Sequence, residues 1–137
     1  MIAEVEATID SVRPALLRGE WAIILKKKDA ECYLPIYTGP SQANIVKREL
    51  IGTRFPEREV YEHFLAGTDI ASLVLESVAV NGPDKGLFHT RLSLKERGNP
   101  IETDCPVAGA LALAFRRNAC ILVDEAAFDE VGITLPE

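Results

Sequence analysis

The stretch that decides the fold runs from Asp104 to Arg117 and reads DCPVAGALALAFRR. It begins with an acid, a cysteine and a proline, and a run of small and apolar residues follows. This order predicts a helix, because proline fits the first helical turn. Apolar residues lie on all sides of that helix, so we expect it to be buried. Its start also suggests a binding site, since the N–H groups of a helix start attract phosphate.

Alternating or continuously apolar segments on either side of this helix predict strands. Three of them precede the helix and form an expected antiparallel meander, with turns by composition at residues 81–86 and 97–100. The three strands cover residues 72–80, 87–95 and 101–104. Phe88 is interpreted as out of phase with its strand. A short buried strand follows the helix at residues 119–123, and a last helix ends at Gly132.

Three further strands are predicted in the N-terminal part of the chain. They cover residues 2–12, 21–25 and 32–37. The first alternates with a period of two apart from one irregularity, which is typical of a bulge. The second is continuously apolar and short enough for a central strand. The third contains Pro35, which favours a sheet edge or a strand end.

Two helices are predicted between these strands and the meander. Ser41 is the expected cap of the first helix, and Gly52 ends it. The second begins at Pro56 and ends at Gly67. The order of all these segments predicts an α+β fold with a mostly antiparallel sheet and about three to four helices. The length of 137 residues predicts a single domain, residues 1–137.

The composition is that of a globular protein, with 47% hydrophobic and 26% charged residues. No apolar run is long enough to cross a membrane. The N-terminus lacks the basic start and apolar stretch of a signal peptide. The three cysteines are spread out without a CxxC pair, so we interpret them as reduced thiols. We therefore expect a cytoplasmic protein that does not act at a membrane.

The charge balance argues against a dedicated duplex-DNA binder, which usually carries a basic face. Fifteen basic residues stand against 21 acidic ones, giving a formal net charge of −6. Nucleic-acid binding would need a local concentration of positive charge. The candidates are Lys26–Lys28, Lys47–Arg48, Arg54 with Arg58, and Arg116–Arg117. The competing interpretation is that these residues are solvated ends of helices and strands. The aromatic residues that could stack on bases are Tyr33, Tyr37 and Phe55.

One helix face could hold a divalent metal ion. Glu59, Glu62 and His63 follow an i, i+3, i+4 spacing and so share a face. Carboxylates and imidazoles ligate divalent ions, and a bound metal can activate water for phosphodiester hydrolysis. Glu57 and Asp104 could join from neighbouring elements. The competing interpretation is a solvated face beside the apolar residues of the same helix.

Single residues near the apolar helix could also carry chemistry. His89 could transfer protons, although its place in an alternating strand favours a surface or packed residue. Cys105 at the helix start could have a lowered pKa, but Asp104 opposes a thiolate, which favours a packed thiol or a helix cap. Asp104 itself could cap the helix. Gly109 could admit a ligand, or it could admit a neighbouring element of the fold.

Two phrases carry a family resemblance. Tyr33–Gly39 reads YLPIYTG, and Asp104–Val123 contains DCPVAGALALAFRR and then ILV. Together with Gln42–Ala43 and Arg54, these phrases resemble the bifunctional nuclease domain family, which typically reads YLPIWIG and DARPSDAIALALR, then PIFV. The resemblance covers nearly the whole chain. It implies an α+β fold, homo-oligomers and nuclease activity on RNA and DNA.

The chain departs from the family pattern at polar positions. The family's Arg-Pro-Ser-Asp falls on Pro106–Gly109, which removes a guanidinium, a hydroxyl and a carboxylate. Its RPLTHDLL phrase falls on residues 54–61, where Arg58 takes the histidine position and Glu59 keeps an acid. Gln42 stands where the family has an acid. The apolar framework is kept, which favours a kept fold over kept chemistry and a buried packing role for the apolar helix.

Two functions follow from the resemblance. In the first, the chain is a metal-dependent nuclease with weakened or lost activity. Glu59, Glu62 and His63 then hold Mg²⁺ or Mn²⁺ and act in catalysis, while Arg54 and Arg58 bind the substrate. In the second, the chain is a non-catalytic regulatory or interaction domain on the same scaffold, a homo-oligomer with a dimer favoured. Nucleic acid is a partner only in the first, and the net charge does not support it.

Overall fold

The computed structural model describes residues 3–15, 19–52, 73–85 and 87–133. Within these residues the chain forms seven strands and three helices. The strands are β1 (Glu4–Pro14), β2 (Trp21–Lys27), β3 (Tyr33–Thr38), β4 (Leu73–Asp84), β5 (Leu87–Glu96), β6 (Asn99–Cys105) and β7 (Cys120–Asp124). The helices are α1 (Pro40–Leu50), α2 (Val107–Arg117) and α3 (Glu125–Val131). The helix predicted from Pro56 to Gly67 lies outside the described residues.

The seven strands form one sheet in the order β3–β2–β1–β7–β4–β5–β6. Every neighbouring pair is antiparallel except β4 and β7, which run parallel. The predicted mostly antiparallel sheet and the β4–β5–β6 meander are therefore confirmed. Parallel neighbours need a crossover connection, and the path from β4 to β7 carries α2 across the sheet.

The three N-terminal strands match their predictions. The register of β1 against β2 shifts between Ile9 and Ser11, which is the predicted irregularity. β2 is buried from Ala22 to Leu25, so both of its faces are covered, as its continuous apolar run requires. β3 lies at the sheet edge, where Pro35 is tolerated because it has no N–H to donate.

The meander differs from its prediction at the β4–β5 connection. β4 continues to Asp84 and pairs that residue with Leu87, so most of the segment 81–86 is strand rather than turn. Asn81 and Asp84 pair with His89 and Leu87 of β5 despite the turn-forming composition, and the register shifts between them. Phe88 is also in phase, contrary to the prediction. It is half-buried on the same face as buried Leu92, whereas Leu87 is 64% exposed.

The β5–β6 hairpin has a turn shorter than predicted. Only Arg97 and Gly98 lie between the paired residues Glu96 and Asn99. Both turn residues have positive φ, 50° and 85°, which is the geometry of a two-residue type I′ turn. Glycine adopts this conformation without a steric penalty, and this holds β5 and β6 in register.

The helices cover one face of the sheet, which we call the helix side; the opposite face is the outer face. α1 packs on β1 and β2, α2 packs on β4 and β5, and the two helices pack on each other. α3 adds Ala127 and Phe128 to the same core. The predicted cap of α1 is wrong, because Gly39 is its N-cap and Ser41 lies in the first turn. Proline at the first position, Pro40, starts the helix without a side-chain cap.

α2 is the central helix of the core. Every residue from Ala108 to Ala114 is buried, and Leu111 is 0% exposed. The prediction of a buried helix is thus confirmed. Small side chains on this helix allow α1 and the sheet to approach it on different sides. No helix among the described residues is long and apolar enough to span a membrane.

Candidate functional site

The residues predicted to hold metal and phosphate lie outside the described residues. They are Arg54, Arg58, Glu59, Glu62 and His63, together with Glu57 and Phe55. The described chain reaches Gly52, directly after α1, and resumes at β4. Asp104, the remaining predicted contributor, is described. Among the described residues, no group of three histidines, cysteines or acids is placed to hold a metal ion.

Asp104 does not cap α2, contrary to one of our expectations. It belongs to β6 and lies opposite Arg91 of β5, whose Nε is 3.3 Å from the Asp104 Oδ1. Nη1 of the same arginine is 3.5 Å from Oε2 of Glu102. The Asp104 side chain is 84% exposed on the outer face. Pro106 is the N-cap of α2, and no side chain caps the helix.

Cys105 is a packed thiol, as one interpretation of the sequence expected, and it is not the helix cap. It ends β6 and is 7% exposed. Burial raises the pKa of the Cys105 thiol to about 12, because the charged thiolate loses its hydration there. The hydroxyl of buried Thr90 donates a hydrogen bond to the Cys105 carbonyl oxygen. At neutral pH this sulfur is protonated and is not a nucleophile.

An open cleft of about 540 Å³ lies at the start of α2. It is lined by residues 88–91 of β5 and 104–107 at the β6–α2 junction. His89 is exposed there, on the face opposite to Phe88, as its strand position predicted. Arg91 already contacts two carboxylates, which lowers its value as an anion-binding group. The cleft therefore brings the His89 imidazole close to an arginine that already contacts two carboxylates, and the Cys105 thiol in its lining is protonated at neutral pH.

The lysine triplet at the end of β2 is neutralised by acids. Three Nζ–Oε distances show this: Lys26–Glu31 at 3.8 Å, Lys27–Glu125 at 3.6 Å and Lys28–Glu6 at 2.9 Å. Lys28 lowers the pKa of the Glu6 carboxyl through its hydrogen bond to that group. These contacts favour the interpretation of solvated and paired strand ends over a phosphate-binding patch.

Cys120 joins the Glu6–Lys28 pair on the outer face. Its sulfur is 3.2 Å from Oε1 of Glu6, to which it donates a hydrogen bond. Burial, and next the contact with the carboxylate, raise the pKa of the Cys120 thiol. This second cysteine is therefore also held in its protonated form, as expected for an unreactive thiol.

A buried ion pair joins the C-terminal ends of α1 and α2, and the sequence analysis missed it. Glu49 Oε1 accepts a hydrogen bond from Arg116 Nη2, and the two side chains are 1% and 6% exposed. A signal for this pair exists in the sequence, because Glu49 follows Ala43 and Val46 at three-residue steps on the buried stripe of α1. A carboxylate on such a stripe indicates a buried cationic partner, but the partner's identity requires the fold.

A second cleft, of about 270 Å³, separates the start of β2 from α1. Its lining residues are Trp21, Pro40, Ala43, Asn44 and Lys47. The ammonium nitrogen of Lys47 lies 5.3 Å from the centroid of the Trp21 ring, which is cation–π distance. Trp21 is not among the aromatic residues predicted to stack on bases, because it stands in an apolar run that predicts a buried strand.

A family model for the bifunctional nuclease domain matches residues 23–136. The chain belongs to the bifunctional nuclease domain family. The match spans the first cleft, the buried ion pair and the segment between α1 and β4, and it includes the lining of the second cleft except Trp21. A search of the curated proteins found no match to this chain.

Membership of the bifunctional nuclease domain family bears on the start of α2, residues 106–109, which we call the α2 entrance. On the gap-free match made from the sequence, the family's Arg-Pro-Ser-Asp would fall on Pro106, Val107, Ala108 and Gly109. Ala108 and Gly109 are buried in the core and Val107 packs against it. Pro106 is exposed, so the apolar contacts at the start of α2 come from Val107, Ala108 and Gly109.

Proposed function

We propose that this chain is a metal-dependent nuclease domain with weakened activity on RNA and DNA. The observation that carries the proposal is the family match, which runs through the whole segment from Arg54 to His63. Glu59, Glu62 and His63 share the helical i, i+3, i+4 spacing and are the proposed metal ligands. Arg54 and Arg58 are the proposed phosphate-binding residues, since guanidinium groups match phosphate geometry.

The chemistry would depend on a divalent ion held by these ligands. Glu59, Glu62 and His63 would hold Mg²⁺ or Mn²⁺, which would supply an activated water and would neutralise charge on the leaving oxygen. The carboxylates orient the ion, and the arginines orient the phosphodiester. Weakened activity follows from the α2 entrance, where no side chain of Pro106–Gly109 can donate a hydrogen bond to a phosphate.

The test is hydrolysis of end-labelled single-stranded RNA and DNA, with Mg²⁺, with Mn²⁺ and with a chelator. We expect slow, metal-dependent cleavage by the wild-type chain and none by the Glu59→Gln, Glu62→Gln double variant. A matched control is the Glu4→Gln, Glu20→Gln double variant, because both of these acids are exposed and neither belongs to the Arg54–His63 segment of the sequence. Cleavage by the first double variant at the wild-type rate would show that the proposed site is wrong.

A second candidate function is a non-catalytic, homo-oligomeric regulatory or interaction domain, with a dimer favoured. The observation in its favour is the apolar start of α2, where Val107 packs against the core and Ala108 and Gly109 are buried. It predicts a stable dimer in light scattering and no metal-dependent turnover. A mass equal to one 15.0 kDa chain would count against it.

A further inference from the structure

The cleft between Trp21 and α1 has the arrangement of a base-binding subsite. Trp21 begins β2 and pairs with Thr38 of β3, and α1 starts at Pro40 directly afterwards. The first turns of α1 therefore lie beside the indole ring. Pro40, Asn44 and Lys47 follow an i, i+4, i+7 spacing, so one face of the helix presents all three toward the cleft.

The polar groups of this cleft differ from the lysine triplet at the end of β2 in their partners. Lys26, Lys27 and Lys28 each face an acid, whereas Lys47 has no acidic partner within the described part of the chain and rests on the Trp21 ring. The Asn44 side chain is exposed, and no hydrogen bond to it is formed by the residues that the structure describes. An aromatic face, an amide and an ammonium are thus all available to a ligand at one place.

We propose that this cleft binds an unpaired nucleobase of a single-stranded nucleic acid. The base stacks on the half-buried Trp21 indole, and the Asn44 amide donates to and accepts from the base edge. Lys47 leaves the ring and pairs with the adjacent phosphate, which its flexible four-carbon stem permits. The choice of a nucleic-acid strand as the ligand rests on the proposed nuclease function.

The size and openness of the cleft favour one base of a strand over a whole small molecule. Its volume of about 270 Å³ lies below the roughly 300–1,000 Å³ of pockets that enclose entire ligands. Duplex bases are already stacked and cannot reach a side-chain platform, so the strand has to be single. With one ammonium in a chain of net charge −6, stacking supplies most of the affinity and phosphate contacts supply little.

Trp21 is the only tryptophan in the chain, so its fluorescence reports on this cleft alone. The wild-type chain is titrated with a short oligothymidylate, with the same strand in a duplex, and with thymidine monophosphate, all in a chelator to prevent hydrolysis. We expect the single strand to quench the emission and the duplex to leave it unchanged. Weaker quenching by the monophosphate separates recognition of a strand from recognition of a free nucleotide.

Variants then assign the roles of the side chains, with binding measured by polarisation of a labelled oligothymidylate. Loss of a stacking aromatic typically weakens binding roughly 5- to 150-fold, which we expect for Trp21→Ala, with a smaller loss for Trp21→Phe. Circular dichroism checks that both fold, and Trp21→Phe keeps the test valid if Trp21→Ala does not. Lys47→Gln should lower the slope of log affinity against log salt by about 0.7, the value for one phosphate contact.

The matched control is Lys95→Gln, which removes a lysine of β5 that pairs with Glu76. We expect it to bind like the wild type, and Asn44→Ala to bind more weakly. The proposal is overturned if oligothymidylate binds by polarisation without changing the Trp21 emission, if nothing binds, or if Lys47→Gln and Asn44→Ala match the control.

The outcome is separable from that of the nuclease proposal. The Glu59→Gln, Glu62→Gln double variant should lose hydrolysis and keep the wild-type quenching of Trp21. Quenching by a single strand in a wild-type chain that hydrolyses nothing would leave the cleft assignment standing and remove the proposed activity. Hydrolysis by a wild-type chain whose Trp21 emission does not respond to the strand would support the nuclease activity and overturn the cleft assignment.

Discussion

The two faces of the sheet use the same kind of ion pair in opposite circumstances. On the helix side, Glu49 and Arg116 are almost completely buried between α1 and α2. On the outer face, Lys95 and Glu76 lie 3.1 Å apart with side chains 49% and 46% exposed. Charges that leave water lose several kcal/mol of hydration, whereas exposed charges keep theirs. Burial of an ion pair, rather than the number of ion pairs, therefore decides how much the free energy of unfolding falls when one partner is removed.

Breaking the buried pair should give the largest effect. Glu49→Gln leaves the buried Arg116 guanidinium facing a neutral amide, which we expect to lower the free energy of unfolding by about 3–5 kcal/mol. The measurement is urea denaturation followed by circular dichroism. Glu76→Gln is the matched control on the outer face, where the expected loss is at most about 1 kcal/mol. Equal losses for the two variants would contradict the comparison.

An apolar pair of residues tests the same contrast without charge. Leu111 of α2 is 0% exposed and Leu87 of β5 is 64% exposed. Leu111→Ala removes buried methyl groups and leaves a cavity, so we expect a loss of about 2–5 kcal/mol. Leu87→Ala should change stability by no more than about 0.5 kcal/mol. A loss for Leu87→Ala close to that of Leu111→Ala would indicate that the outer face is covered at that point.

Local sequence patterns predicted most elements of this fold, because periodicity reports which side of an element is buried. The α2 run, the bulge in β1 and the edge position of β3 all follow from residues within one segment. The extension of β4 to Asp84 did not, because pairing with β5 outweighs the turn propensity of its residues. The same holds for Ser41, which Gly39 and Pro40 displace from the cap position.

The candidate sites were harder to predict, since they depend on residues far apart in the sequence. Glu49 and Arg116 are 67 positions apart, and only the packing of α1 on α2 brings them together. Trp21 and Lys47 meet because β2, β3 and α1 follow one another around a corner of the sheet. Spacing within a single segment gave the Glu59–His63 face, which stays a prediction. Periodicity indicates that a residue such as Glu49 is buried, but it does not identify the distant residue that contacts it.

The smallest expected effect concerns the two cysteines, one at the edge of the core and one on the outer face. Burial raises the pKa of Cys105 from 9.0 to about 12, whereas the unfolded thiol keeps its ordinary value. Below pH 9 both states are protonated, so the favourable burial of the neutral thiol is fully present. Above that, the unfolded chain loses a proton that the folded chain keeps. Stability therefore falls as pH rises toward 12, by up to about 1.4 kcal/mol per pH unit.

Urea denaturation from about pH 8 to about pH 10.5 measures this slope. Cys105→Val replaces the thiol with an apolar group of similar size and should flatten the decline. Cys120→Val is the matched control, and it should retain most of the slope because the Cys120 side chain is less buried. Cys120 shares the direction of the pKa change, so its variant also shows how much the outer face contributes. An undiminished slope in Cys105→Val would mean that other groups, such as Tyr33 with its raised pKa, dominate the alkaline loss of stability.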